Sequence, residues 1–287
     1  MTRLPQFIEN VQGKLWLTED EDHNLEIRYH IKEVLFEEQS KYQHVMVLDS
    51  YTFGPMLVLD GIVQTTSRDG FIYNEMISHV PLAYHPNPRN VLIIGGGDLG
   101  AAREAAKHEK VERVDLIEID ETVVRASQLH MPEVSGGTEI SPKIRIHYRD
   151  GVEYVKNLKA EYDVIIVDSS DPIGPAVELF SEAFYQNVHR ALKDDGIMTC
   201  QSESPIFYQD IMAKSYNRIA GIFPHTKMYT AVVPTYPGGF WTFTLGAKQA
   251  LPDPEQVRFD IDARYANEEV IRGCFSLPTF IKKQLEK

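Results

Sequence analysis

Four carboxylates in the 287-residue chain each close an apolar run. Asp98 follows Val91–Ile94 through a glycine turn, and Glu118 stands near the end of Val114–Ile119. Asp150 comes just after Lys143–His147, and Asp168 directly after Val164–Val167. Short, nearly continuous apolar runs of this kind suit parallel strands covered on both faces. In an open α/β sheet, ligands bind outside the carboxyl ends of such strands. The four acids should therefore ring one crevice, and a crevice lined by carboxylates selects positive charge.

Gly95, Gly97 and Gly100 supply the spacing GxGxxG between the first run and a helix over Ala101–His108. That spacing lets backbone approach a nucleotide and lets the helix pack on the strand. Glu118 falls about 20 residues further on, where a carboxylate can chelate two ribose hydroxyls. Asp98, however, sits inside the glycine turn, where a dinucleotide would place its pyrophosphate. A carboxylate there repels phosphate across the helix N-terminus that would otherwise attract it. The pattern points to a cationic nucleoside such as S-adenosylmethionine or a relative, and away from NAD. A consistent division puts Asp98 on a cationic group, Glu118 on ribose, Asp150 on the adenine amino group and Asp168 on a second substrate. The plainer alternatives are a turn at Asp150-Gly151 and capping or turn roles for Asp168 and Asp171 before Pro172.

The elements that must position these acids can be read around them. Residues 91–120 form a strand, glycine turn, helix and strand, and a helix at Glu121–His130 follows. Val152–Leu158 reads as a further helix. Ile197–Cys200 extends the sheet, and Met228–Val233 with Trp241–Leu245 forms a hairpin around PTYPGG. This alternation predicts an α/β fold with a Rossmann-like doubly wound sheet, of the kind found in S-adenosylmethionine-dependent methyltransferases. Ahead of it, Leu25–Phe36, Tyr42–Leu48, Met56–Leu59 and Gly61–Thr65 read as short strands of a small antiparallel module. A helix over Asp69–Tyr84 joins the two. The expected division is a β module at 1–66 and a catalytic domain at 67–287.

Composition narrows the class. With 43% hydrophobic and 25% charged residues, the chain is an ordinary globular protein. The net charge of −13 disfavours nucleic-acid backbones and anionic lipid surfaces as partners. Only Cys200 and Cys274 are present, which argues against a disulfide framework and for a cytoplasmic setting. No apolar stretch reaches membrane-spanning length. The ten histidines show no ligand spacing such as HExxH, so no metal is expected.

Several blocks of the chain resemble the spermidine synthases, or polyamine aminopropyltransferases. They are LVLDGIVQTT (57–66), YNEM (73–76), HPNPRNVLIIGGGD (85–98), EID (118–120), YDVIIVDSSDPIGPA (162–176), LF (179–180) and PTYPGG (234–239). The resemblance implies transfer of an aminopropyl group from decarboxylated S-adenosylmethionine to a diamine, usually putrescine, giving spermidine and methylthioadenosine. No prosthetic group is implied, and a homodimer or homotetramer is. On matching positions, Gln43, Gln64, Asp98, Glu118 and Asp150 look like donor contacts. Asp168 and Tyr73 look catalytic, and Asp171, Gln201, Glu203 and Tyr236 look like amine-side residues, with Trp16 near the mouth of the site.

The chain departs from the family pattern at several positions. Leu99 replaces the glycine usual in GGGDGG and is expected to crowd the donor tail or the acceptor channel. Ser67 and Gly70 replace acidic residues, Asn74 stands for histidine or glutamine, and Ile271 takes the place of a histidine. The main rival reading is an amine N-methyltransferase on the same scaffold, using S-adenosylmethionine itself. Other acceptors (cadaverine, agmatine, spermidine) and a non-catalytic nucleoside-binding paralogue are the remaining alternatives.

Overall fold

The computed structural model describes residues 4–21, 24–170 and 174–286. It contains two sheets. The first is a six-stranded antiparallel meander of β1 (Ile8–Val11), β2 (Lys14–Glu21), β3 (Leu25–Gln39), β4 (His44–Ser50), β5 (Gly54–Leu59) and β6 (Ile62–Thr66). Both faces of its centre are covered. Met46 and Leu48 of β4 join Leu17, Ile31, Met56 and Val58 in one cluster, whereas Val45 and Val47 pack with Leu57 against Val123, Ala126 and Val134. β4 therefore reads as an unbroken apolar run although its neighbours are antiparallel.

Helix α1 (Gly70–Tyr84) leads from this sheet into an alternating series. It comprises β7 (Asn90–Gly95), α2 (Gly100–Ala106), β8 (Arg113–Glu118), α3 (Glu121–His130), α4 (Pro132–Ser135), β9 (Ile144–Tyr148), α5 (Gly151–Val155) and β10 (Tyr162–Asp168). Then come α6 (Glu182–Ala191), β11 (Leu192–Gln201), α7 (Gln209–Ala220), β12 (His225–Val232), β13 (Phe240–Ala247), α8 (Glu268–Gly273) and α9 (Thr279–Leu285). The second sheet has the order β12-β13-β11-β10-β7-β8-β9. β7 to β11 pair in parallel, and β13 runs antiparallel to both β11 and β12. The chain steps outward from β7 through β8 to β9, then returns to place β10 on the other side of β7. The gap between β7 and β10 is the topological switch point of a doubly wound sheet, the expected place for a ligand.

Val91–Ile94 and Val164–Val167 are 0–1% exposed, as central parallel strands require. α1 is buried almost all round, because α2 and the C-terminal stretch holding Val257, Ala266 and Ile271 share its apolar core. The sheet hairpin around PTYPGG and the helix before β7 lie where the sequence puts them. β1 and β2 are additions: KLWLTEDE alternates correctly but is too charged to stand out as a strand. The expected strand from Tyr42 starts at His44 instead, because Ser40 Oγ accepts hydrogen bonds from the backbone N–H of Tyr42 and Gln43 and holds both in a turn. Among the described residues no helix is long and apolar enough to cross a membrane.

Candidate active site

The glycine turn after β7 is seated on the end of β10. Gly96 N donates to Asp168 O at 2.9 Å, and a Cβ on Gly95, whose φ is +82°, would lie 2.2 Å from that same oxygen. Only glycine fits there. The contact opens a cleft of about 550 Å³ at the switch point. Asp98, Glu118, Asp150 and Asp168 all line it, as do Gln43 from the turn before β4, Gln64 from β6 and Tyr73 from α1. The strand ends thus bring the four acids to one wall, and the β module supplies the opposite side.

Each acid has its own surroundings. Glu118 Oε1 accepts from Asp120 N at 2.9 Å, yet burial dominates and lifts the carboxyl to about 7. A Cβ on Gly97 would lie 2.9 Å from Glu118 Oε2, so the glycine lets the turn close over this acid. Asp98 Oδ1 accepts from Gly100 N at 2.8 Å and Oδ2 from Asn74 Nδ2 at 3.5 Å; burial again raises its pKa. Asp150 caps α5, accepting from Val152 N at 2.8 Å and Glu153 N at 3.3 Å through Oδ1 alone. It is both a helix cap and a wall of the cleft, so the two readings of Asp150 do not compete. Gln43 is fastened by its amide to Asp120 Oδ2 at 3.1 Å, beside the Ser40 hydroxyl at 2.6 Å on the same oxygen.

Asp168 is strongly perturbed. Burial first, and then the negative charge of Asp98, push its carboxyl up to about 8, against the opposing effect of a 2.8 Å hydrogen bond from Tyr73 OH. Burial and the neighbouring Asp168 hold the Tyr73 phenol well above its ordinary range, so Tyr73 acts as a hydrogen-bond donor and not as a base. Tyr73 Oη engages Asp168 Oδ1, and Oδ2 lies over Gly96, where an added Cβ would come within 2.9 Å.

A smaller chamber of about 40 Å³ extends the cleft past Gln64, Tyr73 and Tyr236, which line both. Gln201 lines it, and its Nε2 donates to Glu203 Oε1 at 3.2 Å. Glu203 itself supports Gln201 from behind, with a left-handed φ of 70°. Glu19 of β2 is a wall residue that the sequence reading missed. Its carboxylate accepts from Val63 N at 2.9 Å and Tyr29 OH at 3.1 Å. The available signal was period two: Glu19 shares a strand face with the buried Leu17, where a carboxylate is out of place.

Trp16 does not line either chamber. Its indole points to the other face of β2, stacked on His30 at 4.8 Å with Arg28 above it. The one-residue offset from Leu17 sends it away, which corrects its expected place at the mouth of the site. Asp171 lies outside the described residues.

Leu99 also differs from expectation. It is 0% exposed and belongs to the core around α1 and α2, so it does not crowd the cleft. It reaches that core from a left-handed φ of 66° that glycine would adopt without strain. Ile271 is likewise a core residue, and Gly70 lets Thr65 approach, since a Cβ there would lie 2.2 Å from Thr65 Oγ1. One set of possible metal ligands among the described residues, His85, Asp163 and Asp195, sits at the other end of β10. There Asp163 is already engaged by Lys193 Nζ at 2.8 Å and by the Arg89 and Asn90 amides.

Residues 70–256 match the spermine/spermidine synthase domain, and residues 15–67 match the spermidine synthase tetramerisation domain. A polyamine aminopropyltransferase of Thermoanaerobacter sp. (strain X514) is 49% identical over 273 residues, covering 94% of this chain and 98% of that one. One from Methanocaldococcus jannaschii is 44% identical over 282 residues, with 95% and 96% covered. Among solved structures, a spermidine synthase in complex with the transition-state analogue AdoDATO superposes with a TM-score of 0.91 at 38% identity, covering 99% of this chain and 98% of that one. The Thermotoga maritima spermidine synthase gives 0.89 at 38% identity, with the same coverage.

Proposed function

The chain belongs to the spermidine synthase family and is a polyamine aminopropyltransferase, and we propose that its acceptor is putrescine, converted to spermidine with release of methylthioadenosine. The donor is decarboxylated S-adenosylmethionine, bound as a co-substrate. In this reading the donor lies along the larger cleft, with Glu118 on the ribose, Asp150 on the adenine amino group, Asp98 on the terminal ammonium, and Gln43 and Gln64 alongside. The diamine occupies the smaller chamber between Tyr73, Gln201 and Tyr236, with Glu203 and Asp171 on the amine side.

The observation that carries the reaction is the Tyr73–Asp168 pair at the junction of the two chambers. The acceptor arrives as an ammonium, and its nitrogen becomes a nucleophile only after losing a proton. Asp168, whose carboxyl is raised to about 8, is matched to take it at mildly alkaline pH, where the acid is ionised. The freed lone pair then attacks the methylene next to the sulfonium sulfur. The carbon–sulfur bond breaks, its electron pair stays on sulfur, and a neutral thioether leaves. Holding the two substrates in line provides much of the acceleration. The chain is read as a β module at 1–66 and a catalytic domain at 67–287, assembled as a cytoplasmic homodimer or homotetramer; the match to a tetramerisation domain and the buried free cysteines support this.

The likeness to spermidine synthases favours putrescine over longer amines. A panel of putrescine, cadaverine, agmatine and spermidine, each with the decarboxylated donor, should give the highest kcat/KM with putrescine. A tenfold preference for another amine would reject putrescine as the acceptor.

A further inference from the structure

The loop 234–239 between β12 and β13 carries Tyr236 over the smaller chamber, and we propose that Asp69 is the positioning residue that holds this loop for acceptor binding. The inference rests on reading that chamber as the amine site. Asp69 stands at the N-cap of α1, yet its side chain makes no capping hydrogen bond to the helix. It is 5% exposed, and its oxygens are engaged elsewhere. Oδ2 accepts from Thr235 N at 2.8 Å and from Thr235 Oγ1, while Oδ1 accepts from Thr66 Oγ1 at 2.5 Å. A helix cap would satisfy α1; this carboxylate instead ties the end of β6 and the distant loop to the start of the helix.

The tie sets a register. Tyr73 lies four residues after Asp69, one turn along the same face of α1. The residue after Thr235 is Tyr236, whose ring meets Tyr73 edge-on at 5.8 Å and 71°. Successive loop residues thus dock on successive turns of α1: Thr235 on Asp69, Tyr236 on Tyr73. Tyr236 OH completes the arrangement by donating to Gln64 O at 2.7 Å. Bonds within the loop are local, such as Tyr236 N to Val233 O, and Gly238 and Gly239 both have positive φ. A carboxylate receiving a backbone N–H and two hydroxyls belongs to the strong class of hydrogen bonds. Asp69 touches no substrate; it acts by fixing where Tyr236 stands.

The test is steady-state kinetics of Asp69→Asn, which removes the charge and leaves a single acceptor oxygen where the carboxylate serves Thr235 with one and Thr66 with the other. Losing hydrogen bonds to a charged partner should raise the KM for the diamine by about tenfold or more. The donor KM and methylthioadenosine affinity should stay unchanged. Tyr236→Ala should raise the same KM, and adding Asp69→Asn to it should have little further effect, because both act through one contact. Thr235→Val removes only the hydroxyl bond and should give a smaller rise of the same kind, which keeps the test open if Asp69→Asn does not fold. A lower melting temperature with an unchanged diamine KM in Asp69→Asn, while Tyr236→Ala raises that KM, would overturn the role of Asp69 alone. An unchanged diamine KM in Tyr236→Ala would remove the acceptor reading of the chamber and the proposal with it.

Discussion

Asp168 is where burial, charge and position meet, and its raised pKa makes a signed prediction. A carboxyl lifted from its ordinary value to about 8 contributes stability that is present below about pH 4 and is lost as pH rises through about 8. Below pH 6.5 the depressed His108 acts in the opposite sense, and the lowered Glu104 has no effect between pH 5 and 8; from 6.5 to 8.5 the raised Glu118 and Asp98 act in the same sense as Asp168, so the variant isolates the share that belongs to Asp168. In that window the melting temperature of the ligand-free protein should fall with pH, and Asp168→Asn should flatten the slope; an equal slope in the variant would reject the assignment. The same variant should lose roughly 10² to 10⁴ in turnover, the usual scale for general acid–base groups. If Asp168 were only a turn residue, single-turnover measurements would find near-normal rates in the folded fraction. Glu118→Gln should weaken methylthioadenosine binding by about 1.5–3 kcal/mol, measured calorimetrically at pH 8, where the wild-type acid is ionised. Unchanged affinity would move the ribose away from Glu118.

At the scale of elements, the α1–α2 contact shows how a departure from a family pattern is absorbed. Leu99→Gly would relieve a left-handed residue, worth about 1–2 kcal/mol, but would empty a fully buried site, costing about 2–5 kcal/mol. The net expectation is a lower melting temperature with donor KM and kcat unchanged; a marked fall in donor KM would show that Leu99 does crowd the cleft. The strand ends were legible because four apolar runs are each closed by an acid, a coincidence that single turns or caps do not explain, and all four acids line one cleft. Trp16 was misplaced and Glu19 missed for a single reason. Both lie on β2, whose charged composition hid the alternation, and without the strand there was no basis for assigning opposite faces to positions 16 and 19. Ser40 shows the limit of periodicity: one hydroxyl turn takes Tyr42 and Gln43 out of the expected strand and into the cleft wall.

For the whole molecule, the doubly wound topology was readable from alternation and glycine spacing, since each follows from local chemistry. The joining of two sheets around one cleft was less so, because long-range contacts such as Asp69 with Thr235 and Tyr236 with Gln64 leave no local trace in the chain. The central claim is that this joined cleft transfers an aminopropyl group and not a methyl group. The direct measurement is mass spectrometry of products after incubation with putrescine and, in parallel, decarboxylated S-adenosylmethionine or S-adenosylmethionine. Spermidine and methylthioadenosine from the decarboxylated donor, with no amine product from the other, is the predicted result; N-methylputrescine formed from S-adenosylmethionine, with no spermidine from its decarboxylated form, would contradict it.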